Sequence, residues 1–255
     1  LTFPRIINGC QTTNELFKKY KESNDENSID NIEVVAKIIS TKKNSLKKKI
    51  IYAANNQNSI DRDLQSLNDF HEKIETYFLG KEENDFHLYF ERLRGQHINV
   101  IPPYSRINIE TLAKVFISVF LRKPHEMKSN AISVIEKFQK EGKIFNVSKH
   151  DADTYYYCGV LWFWFNHSLV NGNITMKSKT MDMHILMACD IFLEKKNYNS
   201  VNEKIKYLGT KENAIDVFIK IAKTLNCKDY LFERRGLYSN PKTERQIGEI
   251  QNVII

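Results

Sequence analysis

Three short stretches concentrate the side chains that could hold a polar ligand. In Ile6-Ile7-Asn8-Gly9-Cys10-Gln11-Thr12-Thr13-Asn14, an apolar strand runs into an Asn-Gly turn and then a polar helix start. Asn8-Gly9 accepts positive φ at low cost, so the turn can be tight. Gln11, Thr12 and Thr13 then stand beside the free N–H groups of a first helical turn, where the dipole favours an anion. That is the chemistry of a phosphate cradle, and the same residues also fit a capped strand–turn–helix joint. The second stretch opens with four successive amides, Asn55, Asn56, Gln57 and Asn58, and continues to Asp61-Arg62-Asp63-Leu64. Amides compete for backbone groups and break a helix there, and their paired donors and acceptors suit a base or a sugar. The third is Glu91-Arg92-Leu93-Arg94-Gly95. In an extended arm Arg92 and Arg94 share a face. Two guanidiniums on one side suit a phosphate, and a surface ion pair is the alternative. Glu91 with Asp61 or Asp63 gives a weaker set, carboxylates for a metal such as Mg2+ in a catalytic role.

Other chemistries find little support. Walker A, G-x-S-x-G, H-E-x-x-H and G-x-G-x-x-G patterns are absent. The seven histidines do not fall at metal-ligand spacing. Cys10, Cys158, Cys189 and Cys227 form no C-x-x-C pair. Lone cysteines in apolar helical patterns read as buried reduced thiols, which points to the cytoplasm. The longest apolar run, residues 155–165, is too short to span a bilayer. A net charge of +7 over 255 residues leans towards an acidic partner such as RNA or DNA. The lysine-rich residues 42–49 read as a solvated helix face or as a contact to a phosphate backbone.

The elements that must position these groups are mostly helical, since Gly (9) and Pro (5) are scarce and hydrophobic residues reach 42%. Helix periodicity predicts a first helix over 12–20. The β-branched run 32–39 reads as a strand, so strand, helix and strand suggest a parallel β-α-β pairing. A second helix follows the lysine run, and a third carries Leu64, Leu67, Phe70, Ile74 and Phe78 and ends at Gly80. Residues 87–95 read as a strand or extended arm, and no strand is expected from Asn108 onward. Helices then follow around Leu112–Phe120, Ile132–Phe138, 151–167, 176–193, 212–225 and 243–253. The run 155–165 lacks Lys and Arg, so its aromatics belong to a core rather than a base-stacking platform. Leu1 is not a natural start, so a fragment is expected, with an N-terminal region or a partner subunit missing.

In order and spacing, the three stretches resemble the successive signatures of the AIPR family, the abortive infection phage resistance proteins of bacteria. Members of that family show a strand ending in N-G-x-Q-T, then A-T-N-x-Q-N, then an aromatic residue followed by E-R-x-R-G. Here Ala54 replaces the Thr of the second signature. The resemblance covers Pro4 to about Lys140 and fits the C-terminal portion of the family. A fainter likeness links the first two stretches to the nucleotide-binding core of ParB-like and DGQHR-motif proteins. By that analogy Asn8, Gly9, Gln11, Thr12 and Thr13 would face Asn55, Asn56, Gln57 and Arg62 across one pocket. The usual Arg of the first motif is replaced by Gln11-Thr12, which favours binding over hydrolysis, with Arg92 or Arg94 left to supply the cation.

The resulting expectation is an α+β, predominantly helical protein. A small ParB-like α/β part of about three strands (1–104) precedes an all-α bundle (105–255). Its expected function is cytoplasmic anti-phage defence through a polar pocket that binds nucleic acid or a nucleotide. The alternatives are a metal-dependent nuclease or nucleotidase, and a structural, partner-docking subunit of a defence complex. No cofactor beyond a nucleotide or Mg2+ is implied, and no membrane association.

Overall fold

The computed structural model describes residues 10–22, 32–35, 37–41, 43, 46, 50, 69–81, 85–92, 95–127, 131–177, 181–227, 248–250 and 252. The chain forms two compact units, Leu1–Leu67 and Asn68–Ile255.

In the first unit, α1 (Cys10–Glu22) bears out the predicted first helix. Lys19 and Lys21 lie in its last turn, where cations complement the dipole. The strand expected over 32–39 is not formed among the described residues, which leave Val34, Val35 and Ile38 exposed. A β-branched run records a preference, and a strand also needs a ladder partner and a face to bury. The β-α-β pairing inferred from it falls with it. Of the predicted second helix, Leu46 and Ile50 are helical and most of the rest lies outside the described residues.

The second unit begins with α2 (Asp69–Leu79), which buries Phe70, Ile74 and Phe78 on one side. The Gly80 N–H donates to the Thr76 carbonyl at 3.0 Å, and the helix stops there as expected. Next come β1 (Tyr89–Glu91) and β2 (Arg106–Asn108), a parallel pair in the register Tyr89↔Arg106, Phe90↔Ile107 and Glu91↔Asn108. Among its described residues, their connection holds turns and a 3-10 turn at Pro103–Ser105 rather than an α-helix. No other strand occurs among the described residues, where the sheet is this two-stranded ribbon; the first of the three expected strands, ending at Asn8, lies outside the described residues. The ribbon survives because Phe90 and Ile107 are fully buried beneath it.

From Asn108 the chain is helical, as predicted. The Asn108 side chain accepts from the Thr111 N–H at 2.8 Å and caps α3 (Ile109–Val119). α4 (Ala131–Lys140) buries Ile135 and Phe138. α5 (Ala152–Val170) is the central helix of the unit and is apolar on nearly every side. The Tyr155 ring stacks between Phe116 and Phe145, with centroids 4.9 and 4.8 Å away. Gly159 lets α5 approach the ribbon closely: a Cβ there would lie 3.0 Å from Ile107 Cδ1 and 3.1 Å from the Phe78 ring. α6 (Asp182–Lys195), α7 (Val201–Leu208) and α8 (Lys211–Asn226) complete the core. α7 was not predicted, although its capping box, Ser200 with Glu203, was readable. Residues 248–250 and 252 are helical, within the last helix expected. Among the described residues no helix is long and apolar enough to cross a membrane.

Candidate functional site

The predicted site residues fall into three groups. Asn8, Gly9, Asn55, Asn56, Gln57, Asn58, Asp61, Arg62, Asp63 and Arg94 lie outside the described residues. Gln11, Thr12 and Thr13 sit in the opening turn of α1, with Thr12 and Thr13 exposed. Glu91 and Arg92 lie at and just beyond the end of β1. Arg92 Nε pairs with Glu75 Oε2 of α2 at 3.0 Å, and Gln96 also donates to Glu75. The strand ends at Glu91, so Arg92 turns towards a carboxylate in place of continuing the alternation. Glu91 is half-buried, and its Oε1 accepts the Gly95 N–H at 2.6 Å.

Glu91 also opens on a polar depression of about 330 Å³, lined by Pro103, Tyr104, Arg106, Asn108, Thr111, Trp162 and Asn166. The ribbon supplies Glu91, Arg106 and Asn108; the start of α3 supplies Thr111; α5 supplies Trp162 and Asn166, one turn apart. The Asn166 side-chain amide donates to the Trp162 carbonyl at 2.8 Å, which holds both in place. Arg106 Nε is buried with no hydrogen-bond partner among the described residues. A guanidinium and a helix N-terminus therefore make one side of the depression positive, while Glu91 adds a carboxylate. Trp162 is half-buried, unlike the fully buried Tyr155, Tyr156, Tyr157 and Trp164 of the same aromatic run.

Sequence reasoning found Glu91 and missed Arg106, Trp162 and Asn166. Readable signals were the Asn108 cap, which places Arg106 just before a helix start, and Asn166, the first polar residue after the apolar stretch 158–165. A larger hollow of about 460 Å³ runs along Glu72, Lys73, Thr76 and Tyr77. One helix alone walls it, so its polar groups do not converge on a ligand.

A second charged cluster lies inside the bundle. Asp190 of α6 is 1% exposed. Its Oδ1 accepts from Lys204 Nζ at 2.6 Å and from the Tyr157 hydroxyl at 2.8 Å, and its Oδ2 meets Arg122 at 2.9 Å. Arg122 also pairs with Glu194 at 2.9 Å. Burial, and then the Asp190 charge, push the Tyr157 hydroxyl well above its ordinary range. The same two causes raise the Cys158 and Cys189 thiols, so neither is a nucleophile at neutral pH. Among the described residues no group of three His, Cys, Asp or Glu is arranged to hold a metal.

These features define a mainly helical protein with a short parallel ribbon and one polar depression at the ribbon's edge. The family model described as AIPR protein matches residues 1–228, and the chain belongs to that family, whose role is abortive infection and phage resistance. Neither a curated protein nor a solved structure matches the chain.

Proposed function

We propose that this AIPR protein serves anti-phage defence in the cytoplasm by binding nucleic acid or a nucleotide through a polar pocket. The observation that carries the reading is the meeting of Glu91, from the third signature, with Arg106, Trp162 and Asn166 around one depression. Cation, carboxylate, amide and aromatic ring are the groups that recognise phosphate, sugar and base. The net charge of +7 favours approach of a polyanion, and the free, buried Cys158 and Cys189 suit a reducing compartment. The alternative, a metal-dependent nuclease or nucleotidase, needs Asp61 or Asp63 beside Glu91, and both lie outside the described residues.

The test is a titration of the full chain with single-stranded RNA, single-stranded DNA and mononucleotides at two salt concentrations, followed by fluorescence anisotropy or calorimetry. Saturable binding that weakens steeply with salt is expected, because phosphate contacts release counterions. Flat titrations with every probe at low salt would sink the reading.

A further inference from the structure

Resting on that reading, we propose that the depression takes a single nucleoside monophosphate unit, with Arg106 on the phosphate and the base against Trp162. Its volume of about 330 Å³ lies at the small end of ligand pockets, which run from roughly 300 to 1,000 Å³. That is room for one nucleotide. The shared chemistry has two sources, a free nucleotide or the phosphorylated end of a single strand.

The case for Arg106 rests on a contrast with its neighbours. Arg92 is closed on Glu75, and Arg122 on Asp190 and Glu194. Arg106 lines the depression and forms no ion pair among the described residues. Its guanidinium charge is thus left for an anion in the depression. Its position is set by the ribbon register opposite Tyr89 and by its own N–H, which donates to the Pro103 carbonyl. The start of α3, with Asn108 and Thr111, borders the same space, with the Thr111 N–H already taken by the Asn108 side chain. Glu91 lines the same space, and its Oε1 accepts the Gly95 N–H. Its remaining oxygen suits the hydroxyls of a ribose, and Asn166 the edge of a base. Trp162 supplies a partly open aromatic face.

Calorimetry of the full chain against AMP, GMP, guanosine, inorganic phosphate and a 5′-phosphorylated trinucleotide tests this. AMP or GMP should bind, guanosine roughly tenfold more weakly or worse, and phosphate alone weakly. Arg106→Ala should lower AMP affinity roughly tenfold or more and reduce the salt slope by about one phosphate contact. Asn166→Asp, at a half-exposed position, trades the amide donor on the Trp162 carbonyl for a carboxylate and should lower it by a similar factor by adding negative charge to the depression. Arg106→Lys should fall in between, because it keeps the charge and loses the fork. Equal affinity for AMP and the trinucleotide identifies the free nucleotide as source, and tighter trinucleotide binding identifies a strand end. The proposal is overturned if AMP and GMP do not bind, or if they bind wild type, Arg106→Ala and Asn166→Asp alike. Long single strands that bind with a steep salt slope, indifferent to Arg106→Ala, would overturn this inference and leave the broader reading standing. No binding of strands or nucleotides removes both.

Discussion

The cluster around Asp190 and the depression around Arg106 are built from the same residue types and reach opposite end states. At Asp190, two cations, a phenol and a second carboxylate satisfy one another at 2.6–2.9 Å, with Asp190 2% and Lys204 5% exposed at their side chains. At Arg106, the carboxylate in the same hollow accepts a backbone N–H and the guanidinium forms no ion pair among the described residues. Ions inside a low-dielectric interior are tolerated only when paired and hydrogen-bonded. The closed set therefore serves the fold, tying the chain after α3 to α6 and α7. The open set, at the surface and beside an aromatic face, retains capacity for a ligand. Charge alone does not separate the two, whereas the state of each polar atom does.

The sharpest break in that comparison comes from removing the centre of the closed set. Asp190→Ala removes the acceptor of the Tyr157 hydroxyl and leaves Lys204 and Arg122 only the more exposed Glu194 carboxylate, at 3.4 and 2.9 Å. Breaking a buried pair in this way costs about 3–5 kcal/mol. Urea unfolding of the full chain should show it as a large drop in midpoint. A loss under about 1 kcal/mol would mean that water reaches the cluster, and the contrast with Arg106 would collapse.

A smaller effect is expected at Gly159, where α5 touches the floor of the ribbon. Gly159→Ala sets a methyl 3.0 Å from Ile107 Cδ1 and 3.1 Å from two atoms of the Phe78 ring. Overpacking of this kind costs about 1–3 kcal/mol. Ile107 follows Arg106 in β2, so the same variant should also weaken AMP binding at the depression. Unchanged unfolding would show that Phe78 and Ile107 can move aside, and that the open site does not lean on the closed core.

The sequence already displayed the helical frame, because apolar spacing reports burial directly. Phe70, Ile74 and Phe78, or Leu112, Val115, Phe116 and Val119, are read as faces and are buried as faces. The aromatic run in α5 was read as core, and all but its Trp162 is buried there. Short strands carry no such signal: β2 has a single core residue, Ile107, and its existence depends on Phe90 arriving from elsewhere in the chain. Conversely, the β-branched run at 32–39 has strand composition without a partner among the described residues. The site follows the same logic. Glu91 was legible from its signature, while Arg106, Trp162 and Asn166 become a set only when α5 packs across the ribbon.

Arg106→Ala should change stability by no more than about 0.5 kcal/mol, since the side chain is half-exposed and has no ion pair to lose. Urea unfolding reads this directly. A drop comparable to that of Asp190→Ala would mark Arg106 as part of the fold and remove the distinction between the two sets.

The smallest effect concerns two histidines, one on each side of the comparison. His150 packs against Phe116 and Tyr155 in the core, and His167 faces Tyr104, which lines the depression, with ring centroids 6.3 Å apart. Burial depresses both below the ordinary value of 6.5, helped by Lys149 at His150 and by Lys211 at His167. The unfolded chain thus binds more protons than the folded one from about pH 6.5 down to the folded values. Stability falls as the pH drops through that window and levels off below it. A phosphate bound beside Arg106 favours the protonated form of His167 and should move its titration back upward, while His150, in the aromatic core, stays where it is. An NMR titration of the two imidazoles with and without AMP reads this difference. Equal shifts at both would place the anion elsewhere, and no shift at His167 with AMP bound would put the phosphate on the far side of the depression from Tyr104.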